Sequence, residues 1–443
     1  MGMITFFVFL LLEVALLILS IFSKQEHRRE RAVIRIASLV LFVVLTFAGV
    51  YKWGFQYVPL MALLIIQAGY SAVYLIRASK VKSFSSPKMI SRCVRNGLVL
   101  VLVLVPAIIF PQYEQPVISG TYEVLTTKHT WIDNSRTNVF ADESGGRKLT
   151  VDFWYPDASA STTLDGSSED QTYPLVVFSH GAFGFSGSNY STCAELASNG
   201  YIVASISHTH QAFFTKDVDG TITIADADFI DEASRINAVQ DTGNDEDIFN
   251  ITSAWMKLRT DDENFVIDQI IKLNATTNED RLLPVVDIDR IGLMGHSLGG
   301  ATSAQIGRER GDIDAVVVLD GTMLGEEIDF NNGAVVLNSE PYPVPLLNIY
   351  AEDHYENAVK FDGDGYNNFY ATSNAIEAYE TVFADAGHLN FTDLPLFSPV
   401  LAQALGTGTV DEFDCISTMN SVVLKFFDAY LKGNGKPDIE KNY

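Results

Sequence analysis

The stretch "RIGLMGHSLGGAT", Arg290 to Thr302, constrains the fold more than any other part of the chain. An apolar run leads into Ser297, with Gly295 and Gly299 two residues to either side and Gly300 directly beyond. Side chains at those flanking positions would collide in a sharp strand-to-helix turn, so glycines leave room for one. "RIGLM" reads as a strand and "GGATSAQIGRER" as the start of a helix. The N-terminus of such a helix faces the serine and favours negative charge developing there. A strand and helix joined in this way call for a sheet with helices packed over it.

The chain from about Gln112 onward meets that demand. Strand candidates are Thr121–Thr127, Lys148–Tyr155, Tyr173–Ser179, Tyr201–Ser207, Arg290–Gly295, Asp314–Leu319, Pro345–Tyr350 and Tyr379–Ala384. Several are unbroken Val/Ile/Leu runs, as strands buried on both faces should be. Helix candidates lie between or after them: Ser188–Asn199, Ser253–Leu273 and Asp414–Leu431, the last with Ile416, Met419, Val423, Phe426, Phe427 and Tyr430 on one face. The alternation predicts an α/β domain over residues 112–443, with a mostly parallel sheet and helices on both sides. Residues 211–250, rich in acids, break the pattern and read as a long insertion, either a cover over a site or a solvated excursion. Ala158–Asp170 reads as a Ser/Thr-rich loop.

Residues 1–111 have a different character. Four apolar runs, Met3–Phe22, Ala32–Val50, Tyr57–Ile76 and Gly97–Phe110, predict about four membrane-spanning helices. The fourth is shorter than the roughly 20 residues that cross a bilayer as a helix. The Lys/Arg-rich segments Ser23–Arg35 and Arg77–Arg95 belong on the cytoplasmic side, which puts the α/β domain outside if the fourth run crosses. Apart from Arg35 near the start of the second run, Glu13 is the one charge inside a run, so the expectation is an anchor.

Charge divides the chain at the same place. Residues 1–97 hold 12 of the 30 basic residues and 3 of the 55 acidic ones, leaving 18 basic against 52 acidic residues in the remainder. So acidic a domain repels nucleic acid, which is excluded as a partner. Three cysteines, Cys93, Cys193 and Cys415, make no disulfide scaffold.

A serine nucleophile needs a base. Of the two histidines beyond the elbow, His388 in "DAGHLNF" suits that role, because His354 adjoins Asp353 directly after a strand. The acid stays open on the residues alone: Asp320 ends "AVVVLD" and Asp353 ends "LLNIYAED". "FSHGAFG", Phe178 to Gly184, supplies a candidate oxyanion donor, the backbone N–H of Ala182, with that of Leu298 as the second. Phe183 and Phe185 are candidates for an apolar acyl pocket or for core. His208 and His210 form a pair with no third ligand at fixed spacing, so no metal is expected, and no cofactor.

"YPLVVFSHGAFG", "GYIVASISHTH", "FVIDQI", "RIGLMGHSLGGAT", "VVVLDG" and "AGHLNF" run in an order that resembles the platelet-activating-factor acetylhydrolase family of α/β-hydrolases, over roughly 173–391. The resemblance implies a cofactor-free serine esterase or lipase acting on short or oxidised acyl groups, and it maps the acid onto Asp320. It does not extend to the helices of residues 1–111, and "SHTHQAFFTKD" lacks the family's His-Arg-Asp continuation. The expected partners are an ester or lipid substrate and a membrane. A peptidase or a polyester or xenobiotic esterase fits the same scaffold. A catalytically dead domain of a membrane receptor is a further reading, against which the intact Ser297 and His388 speak.

Overall fold

The computed structural model describes residues 2–77, 84–137, 139–140, 145–157, 172–239, 245–276 and 280–443. The Ala158–Asp170 loop and residues 240–244 of the acidic insertion lie outside them. The chain forms two compact units, one of 1–114 with 395–404, the other of 115–394 with 405–443.

In chain order the helices α1 (Gly2–Ser23), α2 (Arg28–Phe47), α3 (Val58–Ile76) and α4 (Ser86–Ile109) come first. Then follow β1 (Val124–Asp133), β2 (Arg147–Pro156), β3 (Tyr173–Ser179), α5 (Tyr190–Ser198), β4 (Ile202–Ser207), β5 (Phe214–Lys216), β6 (Ile222–Ile224), α6 (Ala227–Val239) and α7 (Asp245–Asn274). The elbow joins β7 (Val286–His296) to α8 (Leu298–Glu309), and β8 (Ala315–Leu319), β9 (Glu327–Asn331), β10 (Ala334–Leu337), β11 (Leu346–Ala351), α9 (Glu352–Phe361), α10 (Asn367–Asn374) and β12 (Ala378–Phe383) come next. The short α11 (Leu394–Phe397) and α12 (Pro399–Leu405) precede the long α13 (Glu412–Leu431).

Eight strands form one sheet in the order β1-β2-β4-β3-β7-β8-β11-β12. β1 and β2 pair antiparallel, as do β2 and β4; from β4 to β12 every pairing is parallel. All the expected strand segments lie in this sheet, with the largest shift at β1, which runs on to Asp133. The alternation of side chains along each strand divides the core into two layers. Leu175, Val177, Val316 and Val318 pack with Val266, Ile267 and Ile270 of α7 and Ile306 of α8. Their neighbours Val176, Phe178, Val317 and Leu319 face Leu196 of α5 and Met419, Val423, Phe426 and Phe427 of α13. Asp411 caps α13, its side chain accepting from the N–H groups of Phe413 and Asp414. The result is the expected mostly parallel sheet with helices on both faces.

The acidic insertion is more ordered than a loop. It holds the β5–β6 hairpin and α6, and α7 begins at Asp245, earlier than expected. Phe229, Ala233 and Ile236 repeat at helical spacing along α6 and pack on Trp255 and Met256 of α7. Asp228, Asp231 and Glu232 between them hide that spacing in the sequence.

In the first unit all four apolar runs are helical, but the expectation of about four spans is not met. Among the described residues, two helices are long and apolar enough to cross a membrane by length and composition: Phe55–Ile76 and Ser86–Ile109. The fourth run gains length because its helix starts at Ser86. α2 falls short because Arg28, Arg29, Glu30, Arg31 and Arg35 occupy its start. Of α1, the stretch whose side chains are described, Phe7–Ser23, is apolar. Within the bundle Glu13 pairs with Arg35 at 3.1 Å.

Candidate active site

Ser297 stands between the last residue of β7 and the first of α8, at φ 53° and ψ −124°. L-residues rarely adopt that conformation, and the surrounding glycines make it possible. A Cβ on Gly295 would lie 2.2 Å from the backbone of Gly299, and one on Gly299 would lie 2.0 Å from the carbonyl oxygen of Ser179. The serine is half-buried, and its N–H donates to the carbonyl of Leu319 at 2.9 Å. That bond ties the elbow to the end of β8.

Asp320 is the next residue along from that tie. It is 1% exposed, at φ 49°. His388 Nδ1 lies 2.7 Å from its Oδ2 and His354 Nδ1 lies 3.0 Å from its Oδ1, which also accepts the N–H of Ala351 at 2.7 Å. Burial alone would raise this carboxyl, but the hydrogen bonds from the two imidazoles outweigh it and hold Asp320 below the usual range. A carboxylate in this position fixes His388 with Nδ1–H toward the acid, which leaves Nε2 as the free base. No hydrogen bond joins Ser297 Oγ to His388 among the described residues; that contact is often loose until substrate tightens it. The neighbour of the serine, His296, donates from Nε2 to the carbonyl of His388 at 3.0 Å, with the two rings 4.6 Å apart. Burial pushes His296 down to about 3, so it stays neutral.

Asp353, the alternative acid, is exposed in the first turn of α9, where its carboxylate accepts the N–H of His354. It does not reach His388. His354, set aside as a base, is instead the second imidazole on Asp320, and Tyr366 Oη lies 3.1 Å from its Nε2. The sequence carried no signal for this sharing beyond the adjacency of His354 to a strand end.

The "FSHGAFG" segment lies against the elbow. A Cβ on Gly181 would be 3.1 Å from Ser297 Cβ. The N–H groups of Ala182 and Leu298 make no hydrogen bond among the described residues. Phe183, at φ 57°, packs tilted on Phe229 with ring centres 4.8 Å apart, and Phe229 lies 4.7 Å from Trp255. Together with Met256, Leu298 and Ala301 these rings make an apolar cluster immediately beside the serine. Phe185 turns elsewhere, onto Phe214 at 5.2 Å.

His208 and His210 do not converge. His208 is fully buried on Asp262, and His210 stacks on Phe140 at 4.1 Å. Asp320, His354 and His388 are the one group among the described residues whose ligand atoms come within 4.8 Å of one another. A cation there would have to displace both Nδ1–H donors from the carboxylate.

A family model described as "Platelet-activating factor acetylhydrolase, isoform II" matches residues 156–438. The chain belongs to that family. Within the platelet-activating-factor acetylhydrolase isoform II family, the chain is 25% identical to a platelet-activating factor acetylhydrolase of Cavia porcellus, over 59% of this chain and 58% of that one. It is 24% identical to the Bos taurus protein of the same name, over 48% of this chain and 53% of that one. The chain thus spans little more than half the length of these relatives. A solved structure of a ferulic acid esterase from Streptomyces cinnamoneus shares the fold, with a TM-score of 0.53 and 23% identity over 73% of this chain and 95% of the esterase.

Proposed function

We propose that this chain is a membrane-associated serine hydrolase that cleaves carboxylic esters, with short-acyl or oxidised-acyl lipid esters as its substrate class. The observation that carries this reading is the buried Asp320 carboxylate held 2.7 Å from His388 Nδ1, one residue beyond the tie to the strained Ser297. Ser297 Oγ attacks the ester carbonyl while His388 Nε2 takes its proton. The N–H groups of Ala182 and Leu298 receive the oxyanion. His388 then protonates the leaving alcohol, and water releases the acyl group from Ser297 by the same route in reverse. The apolar cluster of Phe183, Phe229, Trp255 and Met256 favours an acyl chain beside the nucleophile.

Two helices of sufficient length and apolarity support membrane association. The basic segment Arg77–Arg95 favours the cytoplasmic side, which puts the hydrolase unit outside if Ser86–Ile109 crosses. Labelling with a fluorophosphonate probe tests the chemistry: the wild type should label and Ser297→Ala should not. An unlabelled wild type would sink the proposal. Relative rates on esters of graded acyl length and varied head group test the substrate class. Protease added to intact cells should cut the hydrolase unit, and protection would reverse the orientation.

A further inference from the structure

The carbonyls of two successive residues in the oxyanion segment converge on one buried guanidinium. Arg259, on α7, is fully buried. Its Nη1 donates to the His180 carbonyl at 2.5 Å and its Nη2 to the Gly181 carbonyl at 3.4 Å, while Nε donates to Gln211 Oε1 at 2.7 Å. In a trans peptide the carbonyl of one residue and the N–H of the next point in opposite directions. Holding the His180 and Gly181 carbonyls on the Arg259 side therefore turns the N–H groups of Gly181 and Ala182 to the other side. Gly181 itself packs on the elbow, where a Cβ on it would lie 3.1 Å from Ser297 Cβ.

The charge on Arg259 is directed at these neutral oxygens. Burial lowers its guanidinium to about 9, which leaves it cationic at neutral pH. Of the two acids nearest it, Asp262 is engaged by Arg147 at 2.8 Å, Arg136 at 2.8 Å and His208 at 3.0 Å. Burial pushes the other, Glu263, up to about 8, so at pH 7 it is neutral. A cation bonded to a peptide oxygen polarises that peptide and strengthens its N–H as a donor.

Neighbouring contacts hold the segment in the same pose. The N–H of His208 donates to His180 Nε2 at 3.2 Å, which sets the tautomer in which His180 Nδ1–H donates to the Gly181 carbonyl at 2.7 Å. The Gln211 carbonyl accepts the N–H of Phe183 at 3.1 Å, so Gln211 grips Arg259 with its side chain and the segment with its backbone.

We infer that Arg259 is the positioning residue of the oxyanion hole, aiming the Ala182 N–H by holding the His180 and Gly181 carbonyls and polarising it through the Gly181 carbonyl. This rests on the serine-hydrolase reading above, and the two fail differently: that reading fails if the wild type does not label, this one only if the variants behave otherwise than follows.

In the full-length protein, Arg259→Ala should lower kcat for an ester by about a hundred-fold, the lower end of what loss of an oxyanion donor costs, with KM within about two-fold of wild type. Added guanidinium should restore kcat at least about ten-fold in Arg259→Ala and leave the wild type unchanged. Arg259→Lys retains the charge but not the two-pronged fork, so its kcat should fall about ten-fold without rescue. This variant decides the matter should Arg259→Ala fail to fold. A kcat near wild type in either variant, or a loss in Arg259→Ala that guanidinium leaves untouched, overturns the inference.

Discussion

Asp320 accepts a hydrogen bond from His354 on Oδ1, at 3.0 Å, the oxygen that His388 does not use. The acid of the proposed machinery is therefore loaded on both sides. Burial alone would lower His354, but the hydrogen bond and charge of Asp320 raise it above the ordinary histidine value. Asp353, Asp362 and Tyr366 are the other titratable groups facing this imidazole. A raised folded-state value gives stability that is complete below the unfolded pKa of roughly 6.5 and is lost as pH climbs through the folded one. His354→Gln should therefore lower the melting temperature more at about pH 5.5 than at about pH 9. An equal drop at both would show that the imidazole charge plays no part.

Asp320→Asn and Asp353→Asn should behave very differently. The first leaves His388 without the acceptor that sets its tautomer, and kcat should fall roughly ten-thousand-fold, as in other Ser-His-Asp sites. The second changes an exposed carboxylate and should stay within about two-fold of wild type. Steady-state kinetics on one ester distinguishes them. A large loss confined to Asp353→Asn would assign the acid to the wrong strand end.

Asp393, just beyond the His388 loop, accepts the N–H of Ser191 at 2.8 Å and its hydroxyl, and Cys193 lies near on the same helix. Burial pushes its carboxyl up to about 7. Because the folded value lies above the unfolded one of roughly 3.9, stability is complete below the latter and falls as pH rises through the former. Asp393→Asn removes the charge and should raise the melting temperature by a few degrees at about pH 8 while changing little at about pH 4. A gain of equal size at both would detach the effect from ionisation.

Trp255 closes the apolar cluster beside the serine and donates from its indole nitrogen to Glu232 on α6 at 2.6 Å. Trp255→Ala should shift the ratio of kcat/KM for long over acetyl esters upward by about ten-fold, the scale set by a few methylenes in an apolar pocket. An unchanged ratio would remove this cluster from the acyl site.

The sheet was legible because strands such as Val176–Phe178 and Val316–Leu319 are buried on both faces and must be unbroken apolar runs. The elbow was legible for a similar reason, since the approach of Gly299 to Ser179 admits only glycine. The residues by themselves left Asp320 and Asp353 open, because each follows a strand, and only the family resemblance favoured Asp320. Arg259 left no trace at all, as its partners are backbone carbonyls, which every sequence possesses. The spans were overcounted because a helical apolar run and a membrane crossing are different things: α2 forms a helix, but it opens on "RRERAVIR".

The proposed triad is held by two different kinds of support. Ser297 and Asp320 each stand one residue past the final β7–β8 pair, His296 and Leu319, so a hydrogen-bonded ladder sets their separation. His388 comes from a loop beyond β12, and that loop is closed by the side chain of Asn390, which accepts the N–H groups of Gly387 at 2.9 Å and Gly408 at 2.7 Å. Mild heating loosens loops before ladders. The protein should then lose its base while its sheet stays whole, and regain it on cooling: a reversible silence well below the temperature at which the molecule melts.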